Sequence, residues 1–163
     1  MGSSLEALIS RDRALLEPIA ADIGSQCCDL PQGFVLVPIP EEVMPDDWED
    51  AYDDFTYCPP EIAERARAAA GQEGVAYVEN STGGGEGTQR AVVWRAGAVA
   101  WGPKHTCHLE MDAKSGELEW AADPRDAAIN AVLREIGVDR GSEFDEFWVL
   151  GLHLKRRTEE WLE

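Results

Sequence analysis

GVAYVENSTGGGEGTQRAVVWRAGAVAWGPK, residues 74–104, is the stretch whose reading decides the fold. It holds short runs rich in Val, Tyr and Trp bounded by glycine clusters, the signature of strands joined by tight connections. Val75 and Tyr77 share one face, with Ala76 and Val78 on the other. Arg90, Val92 and Trp94 alternate with Ala91 and Val93, so both faces of that strand are apolar in its middle, as expected at the centre of a sheet. Arg95-Ala96-Gly97 turns the chain into a third strand, Ala98 to Trp101. Gly97 is the residue suited to a positive φ there, whereas the Cβ of Ala96 makes that conformation costly.

The loop from Ser81 to Gly87 is glycine-rich but ends in no GK[ST] and leads into a strand instead of a helix, so it reads as a hairpin loop and not as a phosphate cradle. Downstream, His105 to Met111 reads as a strand paired through the turn at 112–116 with Glu117 to Ala121. Asp123 and Pro124 then open a helix whose Ile129, Val132, Leu133 and Ile136 form one apolar stripe, ended by Gly137. Phe144 to Leu154 reads as a last strand and 155–163 as a tail, in which Glu159 and Glu160 are spaced to neutralise Lys155, Arg156 and Arg157.

Upstream, Pro59 and Pro60 introduce an alanine-rich helix that stops at Gly71, and Gly33 to Ile39 is an apolar strand. At the N-terminus, Ser3 and Glu6 have capping-box spacing, and Leu5, Leu8, Ile9, Leu16, Ile19 and Ile23 recur at helical intervals. This predicts an amphipathic helix kinked or divided at Pro18. The expected fold is therefore α+β, a mostly antiparallel central sheet of about five to six strands with helices packed on it. One domain spans 1–163: an N-terminal helical segment at 1–24, a sheet core at 33–154 with helices at 60–70 and 124–136, and the tail.

Composition narrows function by exclusion. Hydrophobic residues make up 44% of the chain, enough for a core. No apolar run approaches the roughly 18 residues of a membrane span, and no basic-then-apolar leader opens the sequence, so the expected compartment is the cytoplasm. Against 14 basic residues stand 32 acidic ones, a net charge of −18. That excess disfavours nucleic acid and anionic membrane as partners and favours a basic protein. Solubility alone would also account for it. Cys27, Cys28, Cys58 and Cys107 lack zinc-site spacing and read as reduced thiols. On a strand, His105 and Cys107 point one way and His108 the other, which argues against a shared metal, and no cofactor motif is present.

The acidic excess is concentrated in EEVMPDDWEDAYDD, residues 41–54, with eight carboxylates and no basic residue in fourteen positions. Trp48 and Tyr52 are four apart, so on a helical turn they would share a face with Asp46, Asp47, Glu49, Asp50, Asp53 and Asp54 around them, and Glu41 and Glu42 complete the candidate partner-binding residues. Aromatic anchors among carboxylates are what a surface that grips Lys and Arg requires. The alternative is that both aromatics pack inward.

Two stretches carry a resemblance: Ala76 to Glu79 with Gly84 to Trp94, and Glu143-Phe144-Asp145 leading through Gly151-Leu152 to Arg157-Thr158-Glu159-Glu160-Trp161. Together they resemble a group of small uncharacterised bacterial proteins. In size and charge the chain also resembles bacterial toxin-immunity proteins, which implies an inhibitor that covers the active site of a basic toxin, possibly a nuclease. Two other functions compete. One is a small enzyme with Cys107 as nucleophile, His105 or His108 as base and Glu110 orienting it; the other is a self-associating subunit, such as a homodimer.

Overall fold

A computed structural model describes residues 3–83, 86–109 and 126–163. In chain order its regular elements are β1 (Ser3–Ser10), α1 (Arg13–Asp22), β2 (Cys28–Asp29), β3 (Val35–Pro38), α2 (Pro60–Ala69), β4 (Val75–Gly83), β5 (Glu86–Arg95), β6 (Ala98–Leu109), α3 (Ala128–Glu135) and α4 (Glu146–Val149), with short 3-10 turns between and after them. The strands form one antiparallel sheet in the order β2-β3-β1-β4-β5-β6, so the fold is α+β with helices on both faces.

Alternation along the central strands divides the core in two. Leu5, Ala7, Ile9, Leu36, Ala76, Val78, Ala91 and Val93 face α3 and the C-terminal segment, where Ile129, Leu133, Leu150 and Trp161 cover them. Leu8, Val35, Val37, Val75, Tyr77, Val92 and Trp94 face α1 and α2. The face assignments expected for residues 75–78 and 90–94 hold.

The N-terminal expectation is overturned. Residues 3–10 form no helix; β1 lies between β3 and β4. Its apolar residues are buried on both faces, which erases the strand alternation and leaves a spacing that imitates a helix. The helix begins later: Asp12 is its cap, accepting from the Leu15 N–H at 3.1 Å. Pro18 sits inside α1 without dividing it. The carbonyl of Ala14 that it leaves unpaired belongs to an exposed residue, where water can take the bond.

Four further corrections follow from local geometry. Ala96 (φ 53) joins Gly97 (φ 77) in the left-handed region, a two-residue turn of the type that matches strand twist. The Ala96 and Gly97 N–H groups donate to the carbonyls of Gly71 and Ala70, which holds the turn against the end of α2. Ala98 to Trp101 and the strand from His105 are one continuous β6, bent by a register shift opposite Ala91 and Val93 where Gly102 has φ 81. Likewise Ser81 to Gly83 and Glu86 to Gly87 are ladder, not loop. Lastly, Phe144 to Leu154 is not a strand. Asp145 caps α4 through the Trp148 N–H at 2.8 Å, Gly151 takes φ 77, and a 3-10 turn follows at Leu152–Leu154. The expected turn and strand at 112–121, the Asp123 cap and Pro124 lie outside the described residues.

Candidate partner-binding surface

Residues 39–59 leave the sheet after β3, cross the α1/α2 face and return to α2. The segment is rooted at both ends. At the near end the Ile39 N–H donates to the Glu6 carbonyl at 2.9 Å, and Val43 and Met44 pack on the core. At the far end Phe55 is buried with its ring edge-to-face on Tyr77 at 5.1 Å, and Tyr52 meets Trp94 at 6.0 Å. The Tyr52 N–H donates to the Cys58 carbonyl at 2.9 Å and closes the loop.

A buried carboxylate completes the anchor. Glu79, on β4, accepts from the N–H groups of Thr56 (2.9 Å) and Tyr57 (3.1 Å) and from the Tyr77 hydroxyl (3.1 Å). Arg90 stands 3.9 Å from the same carboxylate and donates to the Thr56 hydroxyl at 2.9 Å. With three donors and a cation the buried charge is satisfied. Glu6 is the direct cross-strand partner of Glu79, and the Thr158 hydroxyl donates to its side chain. Burial, with Glu79 adding like-charge repulsion, pushes the Glu6 carboxyl up to about 7, while the Thr158 bond works the other way.

Between these anchors all eight carboxylates, Glu41, Glu42, Asp46, Asp47, Glu49, Asp50, Asp53 and Asp54, are exposed. Among the described residues no ion pair reaches any of them. Trp48 is 67% exposed at the tip of a 3-10 turn, Trp48–Asp50, which Asp47 caps through the Glu49 N–H at 3.1 Å. The expected shared face of Trp48 and Tyr52 does not form, because the turn ends at an extended Ala51 and Tyr52 falls beyond it. One aromatic is an internal anchor and the other is presented outward.

The part that Phe55, Cys58, Glu79 and Arg90 play in holding this loop is not read from the sequence. Phe55 left only a compositional signal, an apolar aromatic at the end of the acidic block. Glu79 and Arg90 left none, being distant in sequence from the loop they hold.

No family model, characterised protein or solved structure matches this chain. Function is read from the surface alone.

The competing chemistry is less well assembled. His105 and Cys107 are both exposed on β6, paired with Arg90 and Thr88, and no hydrogen bond joins them. Burial, then Arg90, lower the His105 pKa, and Asp54 opposes them. Residues two apart on a strand stand side by side roughly 6.6 Å apart, which is too far for direct activation of the thiol. The side chains of His108 and Glu110 lie outside the described residues. All four cysteines are free, with Cys58 buried. Among the described residues no group of three or more His, Cys, Asp and Glu is placed to hold a metal, and no helix is long and apolar enough to cross a membrane.

Proposed function

We propose that this protein is an acidic protein-binding module that docks on a basic partner through residues 41–54, in the manner of an immunity-type inhibitor covering the active site of a basic toxin, possibly a nuclease. The observation that carries this reading is the pairing of an outward Trp48 with eight exposed carboxylates that form no ion pair among the described residues, on a loop anchored at both ends. A tryptophan supplies the desolvated centre of a contact, and the carboxylates steer and register a cationic surface around it. An anchored loop also loses less freedom on docking than a floppy acidic tail. The protein would act where that partner is made, which keeps the cytoplasm as the compartment to examine.

Chemical cross-linking in cells, with wild-type protein beside a Trp48→Ala variant and one with Asp46, Asp47, Glu49 and Asp50 changed to their amides, tests the proposal. A basic protein captured by the wild type and lost from both variants is the expected result. The same partners captured by all three would remove residues 41–54 from the interface.

A further inference from the structure

On the opposite face of the sheet from the acidic loop, a cavity of about 220 Å³ opens between the β1/β4 ladder and the C-terminal segment. Leu5 and Asn80, direct partners in that ladder, form its floor. Phe147, Leu152, His153, Lys155 and Arg156 complete its lining.

The cavity contains a polar group that no described residue satisfies. Asn80 is 6% exposed, and among the described residues its Oδ1 has no hydrogen-bond partner; the Nδ1 of His153, whose ring stacks on Trp148 at 3.6 Å, has none among them either. A buried, unsatisfied amide in a central strand is unfavourable unless something fills the space beside it.

Positive charge meets it from outside. The Glu160 carboxylate, expected to neutralise the basic run, accepts instead from the backbone N–H groups of Arg156 (2.7 Å) and Arg157 (3.3 Å). Lys155 donates to the Glu160 carbonyl at 2.9 Å. The Arg156 guanidinium is exposed and forms no ion pair among the described residues.

The walls are preset. Asn130 accepts from the Phe147 N–H at 2.8 Å and donates to Asp145 at 3.1 Å, which fixes the start of α4. The Ser4 N–H donates to the Arg156 carbonyl at 2.8 Å, which ties that residue to β1.

We propose that this cavity binds a small α-amino or α-hydroxy carboxylate with a branched apolar side chain. The carboxylate pairs with Arg156, whose fork suits it. The adjacent N–H or O–H donates to Asn80 Oδ1, and the side chain lies on Leu5, Phe147 and Leu152. The volume equals that of roughly seven waters, which suits a ligand of about nine non-hydrogen atoms.

Three matched probes test this by NMR titration of the full chain: leucine, 2-hydroxy-4-methylpentanoate and 4-methylpentanoate, which lacks the donor. Saturable shifts of the Asn80 side-chain amide and the Trp148 indole are expected with at least one of the first two, at about millimolar affinity. The donorless acid should bind about tenfold or more weakly, and Arg156→Gln, at an exposed site, should weaken binding by a similar factor. Asn80→Leu should abolish the discrimination between the probes. Absence of saturable shifts at about 10 mM of any probe would overturn the proposal, leaving a water-filled gap. So would equal affinity for the donorless acid, or indifference to Arg156→Gln. Because the cavity and the acidic loop lie on different faces, neither outcome bears on the binding-module reading.

Discussion

Replacing Glu6 with glutamine should make the protein more stable at neutral pH and leave it nearly unchanged in acid. Glu6 is 5% exposed in the central strand and stands opposite Glu79, so its proton is held up to about 7 against an ordinary value of 4.5. Between those values the folded chain keeps a proton that the unfolded chain has released. Stability contributed by this group is thus fully present below about pH 4.5, falls as pH rises, and is gone above about 7. A separation of that size corresponds to about 3 kcal/mol. Glutamine keeps an oxygen to accept the Thr158 hydroxyl and adds an N–H on the same face as the Glu79 carboxylate. Urea unfolding of both proteins from pH 4.5 to 8.5 measures the difference directly. Glu6→Gln should show almost no advantage at the acid end and about 3 kcal/mol at the alkaline end, or roughly 6 to 12 °C in melting temperature for a domain of this size. A difference that stays constant across the range would show that Glu6 is ionised throughout, and the assignment of its proton would be wrong.

Two backbone positions offer simpler tests by thermal and urea unfolding. Gly102 has φ 81, and a Cβ there would sit 2.9 Å from the Ala91 carbonyl oxygen and 3.1 Å from the Lys104 nitrogen, so Gly102→Ala should cost about 2 to 3 kcal/mol. A loss under about 0.5 kcal/mol would show that the β6 bend relaxes freely. Ala96→Gly should do the reverse, because relief of the left-handed strain at φ 53 exceeds the added freedom of the unfolded chain; a gain of about 0.5 to 1 kcal/mol is expected, and a loss would refute the strain argument.

The parts of the fold legible in the sequence were those with their signals side by side. The β4–β5–β6 meander announces itself through Val, Tyr and Trp alternation punctuated by glycine, and α3 through its apolar stripe. The segment β1 imitates a helix in sequence because burial on both faces removes the period of two, and eight residues are too few to separate the two patterns. In α4 the run Phe147 to Leu150 looks extended, although Asp145 before it and Gly151 after it are a helix cap and stop. The acidic loop is visible as composition, but composition alone allows its tryptophan to point either outward or inward. What holds the loop was invisible, since Glu79 and Arg90 join it only through the ladder that brings β4 and β5 beneath Thr56 and Tyr57.

Trp48→Ala tests the central claim most directly, provided that folding and binding are measured on the same protein. The side chain is 67% exposed, so the stability should stay within the change expected of a surface substitution, about 0.5 kcal/mol, with little shift in melting temperature. Against the basic protein captured by the wild type, dissociation should quicken and affinity should fall by about 30-fold or more, the loss of roughly 2 kcal/mol that marks an interface anchor. A lowered melting temperature with unchanged affinity of the folded fraction would contradict the account and make Trp48 a packing residue.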